Sequence, residues 1–258
     1  MYKTAMKSAA LVILMTGWGI AANDPFVGKW KLNPAKSQTA GQWVKVEDLG
    51  SNKYRFDNGA TPETLVADGK DQPIQFGGTI SLQKTSEATW KTVVKRDGKI
   101  LSQATWNLSP DGKNMTILTT STRLDGSTFE NEEVYSRITG TSGLAGSWEG
   151  ESEKQSSPSV WEIQPYENGL SFVHPATKSR LDMRFDGKEY TEQGPTAPIG
   201  ISTFGKRPNS NTLQLTDKHN GKAMDTAEWS VSPDGNVLTL TIHNTGQKKA
   251  LLLVYDRQ

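Results

Sequence analysis

Hydrophobic and polar positions alternate along this chain in short runs, and nothing after residue 22 sustains a helical period. The runs are rich in Thr, Val, Ile, Trp and Tyr and are interrupted by Gly, Asn, Asp and Pro, the pattern of strands joined by tight turns. In the first half this pattern predicts strands near 28–32, 43–49, 53–58, 63–67, 79–84, 88–96, 99–108, 114–124 and 128–137, with a further short one around 72–76. The second half gives a similar series.

The similarity between the halves extends to their landmarks. Gly28-Lys29-Trp30 opens the first and Gly146-Ser147-Trp148 the second. Asp97-Gly98-Lys99 is matched by Asn220-Gly221-Lys222, and Trp106 to Gly112 by Trp229 to Gly235, both reading Trp-x-x-Ser-Pro-Asp-Gly. Val134-Tyr135-Ser136-Arg137 closes one half, Val254-Tyr255-Asp256-Arg257 the other. A repeat unit of about 115 residues is a duplicated domain, since solenoid units run to roughly 20–50. The Ser-Pro-Asp-Gly turn returns only once, which excludes a β-propeller and its period of about 40–50. The reading is therefore two domains, 23–138 and 144–258, joined by the small polar linker 139–143. A linker that short keeps the domains in contact.

Asp97-Gly98 and Asn220-Gly221 are two-residue hairpin signals, because both central positions of a type I′ turn need positive φ. An uninterrupted ladder from that turn places Arg96 opposite Lys99 and Val94 opposite Leu101. One face then collects Trp90, Thr92, Val94, Leu101, Gln103 and Thr105, and its counterpart in the second half Leu213, Leu215, Met224, Thr226 and Glu228. The other face carries Lys91 and Lys95 along with Val93, Ile100, Ser102, Ala104 and Trp106, so the first is expected to be the interior. Trp90, Thr92, Leu101, Gln103, Thr105, Leu213, Leu215, Met224, Thr226 and Glu228 become the candidate ligand-lining residues. Trp106 and Trp229 fall on the outer face, free to meet a neighbour. An inward Glu228 would cost several kcal/mol unless it were paired or wet.

A meander of eight to ten antiparallel strands hides its edges by closing into a barrel. The expected fold is all-β, two tandem antiparallel up-and-down β-barrels with little or no helix. Gly-x-Trp on the first strand with an Arg on the last resembles the signature of the lipocalin or calycin superfamily. Gly28 to Ser37 is also similar to the opening of small secreted bacterial lipocalin-like proteins of uncharacterised function. The resemblance implies that the Trp plugs one barrel end and the Arg packs across it. Gly28, Trp30 and Arg137 would thus close the first barrel, and Gly146, Trp148 and Arg257 the second. The second copy departs from the pattern after Gly-Ser-Trp, and no helix precedes either last strand.

Composition adds a destination. Lys3 and Lys7, the apolar run Ala9 to Ile20 and the small residues Ala21-Ala22 read as a signal peptide over 1–22, too short for a span of about 20 apolar residues. A soluble protein, secreted or periplasmic, is expected, with no stable membrane insertion after cleavage. The chain has no cysteine, which excludes a lipoprotein anchor, thiol catalysis and a Cys-based zinc site. Losing two leader lysines takes the formal charge from +1 to about −1, and no basic run suggests nucleic acid.

Catalytic patterns are missing. His174, His219 and His243 all lie in the second half without metal-ligand spacing, so no metal or cofactor is expected. Glu130, Glu132 and Glu133 have no carboxylate counterpart in the second copy, and no nucleophile elbow or phosphate loop occurs. The reading is an exported protein that holds a small, partly apolar ligand non-covalently in one or both barrels. An envelope-associated interaction or inhibitor module with side-chain-filled barrels is the alternative, and a secreted hydrolase or isomerase a more distant one.

Overall fold

The computed structural model describes residues 24–258, so the leader expected at 1–22 lies outside the described residues. Ten strands come from the first repeat: β1 (Gly28–Leu32), β2 (Trp43–Asp48), β3 (Lys53–Asp57), β4 (Glu63–Val66), β5 (Asp68–Pro73), β6 (Thr79–Lys84), β7 (Thr89–Arg96), β8 (Lys99–Leu108), β9 (Asn114–Thr122) and β10 (Thr128–Thr139). Ten more come from the second: β11 (Gly146–Gln155), β12 (Val160–Tyr166), β13 (Gly169–His174), β14 (Ser179–Arg184), β15 (Glu189–Tyr190), β16 (Ile201–Asn209), β17 (Thr212–His219), β18 (Lys222–Val231), β19 (Val237–Asn244) and β20 (Leu251–Arg257). The short strand expected around 72–76 sits earlier, at Asp68–Pro73, where the charged run Asp-Gly-Lys-Asp-Gln-Pro has no alternation to reveal it.

The strands form two nearly closed, ten-stranded antiparallel sheets, consistent with two tandem barrels. In the first sheet the order is β4-β3-β2-β11-β10-β9-β8-β7-β6-β5, and in the second β14-β13-β12-β1-β20-β19-β18-β17-β16-β15. The two repeats have exchanged their first strands. β1 lies between β12 and β20, and β11 lies between β2 and β10. The linker is the cause. It is a hairpin-length connection, so β10 and β11 pair directly, with Thr139 opposite Ser147. The vacant edge that β11 leaves in the second sheet is filled by β1. Each barrel is therefore assembled from both repeats rather than from 23–138 or 144–258 alone.

This exchange corrects the expected closing pairs. Trp30 meets Arg257, whose guanidinium lies 4.1 Å from the ring centroid, and Trp148 meets Arg137 at 4.0 Å. The repeat landmarks converge there. Arg257 donates to the carbonyls of Gly235, Val27 and Pro25, and Arg137 to those of Gly112, Ala145 and Gly143. Gly112 and Gly235 end the Ser-Pro-Asp-Gly turns at φ 67° and 74°. Each indole N–H donates to a backbone carbonyl four residues upstream, Phe26 or Leu144. Gly146, at φ 145°, has no room for a β-carbon, which would lie 2.3 Å from the Thr139 carbonyl oxygen and 2.9 Å from Arg137.

The seams of the barrels differ. Between β4 and β5 the Gln72 side chain replaces a ladder, bonding both the N–H and the carbonyl of Val66 at 2.8 Å. In the second barrel a lone bridge between Arg180 and Gln193 closes the seam. Two cores follow the sheets rather than the repeats, Trp148 packing with Val46, Leu82 and Trp90, and Trp30 with Leu213, Trp229 and Leu238.

Candidate functional site

The interior is set by what happens two residues beyond each Asx-Gly turn. Asp97, Gly98, Asn220 and Gly221 all have positive φ, and Arg96–Lys99 and His219–Lys222 pair as the turn requires. The ladders then slip. Val94 faces Ser102, with Leu101 left over, and Asp217 faces Asp225, with Met224 left over. A β-bulge of this kind reverses the side-chain alternation beyond it. Ser102, Ala104 and Trp106 therefore point into the first barrel, and Asp225, Ala227 and Trp229 into the second.

The second barrel holds an open-mouthed cavity of about 500 Å3. Its wall is mainly apolar and aromatic, with Trp161, Phe172 and Trp229 stacked edge to face at centroid separations of 6.1 and 5.2 Å. Phe76, from the β5–β6 loop of the first repeat, completes the lining and packs on His219 at 4.9 Å. That loop is tied down by Ile199, whose N–H donates to the Phe76 carbonyl, and by Arg96, which bonds Phe76 and Ala197 carbonyls. A loop of the first repeat thus caps the second barrel.

Into this apolar wall project two carboxyls, Asp217 and Asp225, directly opposed across β17 and β18. Opposed residues of an antiparallel pair have Cβ atoms ~4.5–5.5 Å apart. The Thr203 hydroxyl donates to Asp217 at 2.5 Å. Among the described residues Asp225 has no side-chain hydrogen bond, and no lysine, arginine or histidine lines the cavity. Burial, with the Asp217 charge second, pushes the Asp225 carboxyl up to about 7. Burial also raises Asp217, reinforced by Glu192 and opposed by the Thr203 hydrogen bond. Two half-buried carboxyls this close cannot both ionise cheaply.

The first barrel is similar in shape and different in chemistry. Its cavity, about 540 Å3, is lined by Thr92, Ser102, Trp106, Thr119, Glu133 and Tyr135 among others. Glu133 is raised by burial and then by Glu153, its partner on β11, and burial raises the Tyr135 phenol. Met224, Asp225 and Asn244 line both barrel cavities, and Tyr255, Leu253 and Leu251 are shared between the second-barrel cavity and a cleft of about 810 Å3 between the barrels. The barrels face each other.

The sequence-derived lining residues divide accordingly. Trp90 and Leu213 are fully buried in the two cores, Thr92 lines the first cavity, and Leu215 and Met224 line the second. Leu101 is the bulge residue itself, while Gln103 and Thr105 lie on the outer face with Lys91. Thr226 and Glu228 also face outward, exposed, and Glu228 accepts a hydrogen bond from Gln214. An uninterrupted ladder places these four inside, and the bulge is what turns them out. It also brings Trp106 and Trp229 inward from the outer face, where the uninterrupted ladder puts them. Asp217 and Asp225 were missed. Asp217 stands at period two from Leu213 and Leu215, a signal that was there, whereas Asp225 becomes inward only through the bulge. Among the described residues no group of three or more His, Cys, Asp or Glu is arranged to hold a metal ion. No protein-family model matches this chain, and no curated protein matches it either.

Proposed function

We propose that this protein binds a small, partly apolar molecule non-covalently inside its second barrel, and that it does so outside the cytoplasm. The observation that carries the reading is the second-barrel cavity. At about 500 Å3 it falls within the roughly 300–1,000 Å3 of small-molecule sites, and its apolar wall holds a few convergent polar groups. Its capping by Phe76 gives the duplicated architecture a purpose, because one repeat binds while the other shields. The calycin-like end motifs and the leader-like first 22 residues support a lipocalin-like carrier or sensor that is exported. The neutral apolar dye Nile red tests this. Its fluorescence should rise on binding to the intact protein and stay low with Ala227→Phe, which fills the second cavity, while Ala104→Phe in the first barrel leaves the signal intact. Loss of the signal in Ala104→Phe alone would place binding elsewhere.

A further inference from the structure

We infer that the ligand of the second barrel is an organic cation, an amine carried on an apolar body, whose nitrogen is held between Asp217 and Asp225. This rests on the second barrel being a binding site. Two observations support it beyond that reading.

The carboxyls are not demanded by the fold. The first barrel builds the same hairpin and the same bulge with Val94 and Ser102 at these positions. Two half-buried carboxyls set side by side in an apolar wall repel one another and lose part of their hydration unless a positive partner meets them, and no cation of the protein lines the cavity among the described residues. Thr203 offers a single hydroxyl to Asp217, and the Asp225 carboxyl, without a hydrogen-bond partner in the protein among the described residues, opens to the cavity. The unmet demand is for a cation supplied from outside.

The surroundings suit such a partner. Glu192 adds a third carboxyl to the cavity wall, so the field inside is negative. Trp161, Phe172, Trp229 and Phe76 present aromatic surface to the body of the ligand, and ring faces attract ammonium groups. Folding has already removed part of the carboxyls' hydration and fixed their positions, so an incoming ammonium meets preorganised acceptors and gains charge-assisted hydrogen bonds.

The pairing also makes binding sensitive to acid. The groups lining the cavity with the dyad are Glu192, Thr203 on β16 and Asn244 on β19; His219, two residues along β17 from Asp217, packs against Phe76 outside that lining, and Glu133 lines the neighbouring first-barrel cavity. His174 stands behind Trp161, and its burial lowers its pKa. With the Asp225 carboxyl pushed up to about 7, protonation of the dyad below neutrality removes the charge that holds the amine.

Isothermal titration of the mature protein at pH 8 with 1-naphthylmethylamine, and with neutral 1-naphthylmethanol as its isostere, tests the inference. The amine should bind about tenfold or more tightly than the alcohol. Asp225→Asn, and independently Asp217→Asn, should bring the amine down to the alcohol's level and leave the alcohol unchanged. Equal binding of the two probes to the unaltered protein would overturn the cation while leaving a ligand site. Failure of both probes to bind would overturn the site and the cation together.

Discussion

Arg257, on the last strand of the second repeat, lies 4.1 Å over the ring of Trp30, on the first strand of the first. The two are neighbours in the ladder, Trp30 pairing with Arg257 across β1 and β20. A repeat boundary in sequence is therefore not a barrel boundary in space, and the consequence is testable. Trp30→Ala should cost about 3–5 kcal/mol and should loosen the second barrel first. Hydrogen exchange should accelerate in β12 and β20 while β2 and β10 stay protected. The reverse order would mean that each repeat keeps its own first strand.

Gly146 is held at φ 145° with the Thr139 carbonyl and Arg137 where a methyl group would go. Gly146→Ala should cost about 1–3 kcal/mol, through backbone strain and displacement of the Arg137 guanidinium. Urea titration would show it. The same substitution at Gly98, where a β-carbon has open space but φ is 74°, should cost less.

The carboxyl dyad makes stability depend on pH. In the folded chain Asp225 keeps its proton up to about 7, whereas its ordinary value is 3.8. The folded state thus binds more protons than the unfolded state between those values, and stability falls as pH rises through that window. The contribution is fully present below about pH 4 and gone above about pH 7, and with partial solvation allowed for it amounts to about 1–2 kcal/mol. Asp225→Asn should flatten the pH dependence and raise the melting temperature at pH 8. An unchanged slope would show that the dyad is solvated.

The bulge makes a further prediction. Glu228 faces water and Trp229 faces the core, so Glu228→Ala should change stability by no more than about 0.5 kcal/mol and Trp229→Ala should cost about 3–5 kcal/mol. Chemical denaturation of the two variants would reveal the face directly.

How much of this was legible follows from where the information lies. Strand positions are local, and the Asp97-Gly98 and Asn220-Gly221 turns are where their chemistry requires. The Trp and Arg landmarks mark barrel ends. The bulges at Leu101 and Met224 carry no composition of their own, since an ordinary apolar residue is simply left over in the ladder, yet they decide whether Gln103 or Ser102, Glu228 or Asp225, points inward. The strand exchange is hidden for the opposite reason. β1 and β11 carry the same Gly-x-Trp signature and fit either barrel, so only the length of the connection between β10 and β11 discriminates, through the hairpin it forms.

The most direct measurement is native mass spectrometry of the protein purified gently from the cells that produce it. The account predicts a discrete extra mass, small and basic, that is released by denaturation and missing from Ala227→Phe. An unadorned mass for the purified protein, with no gain on adding 1-naphthylmethylamine, would contradict it.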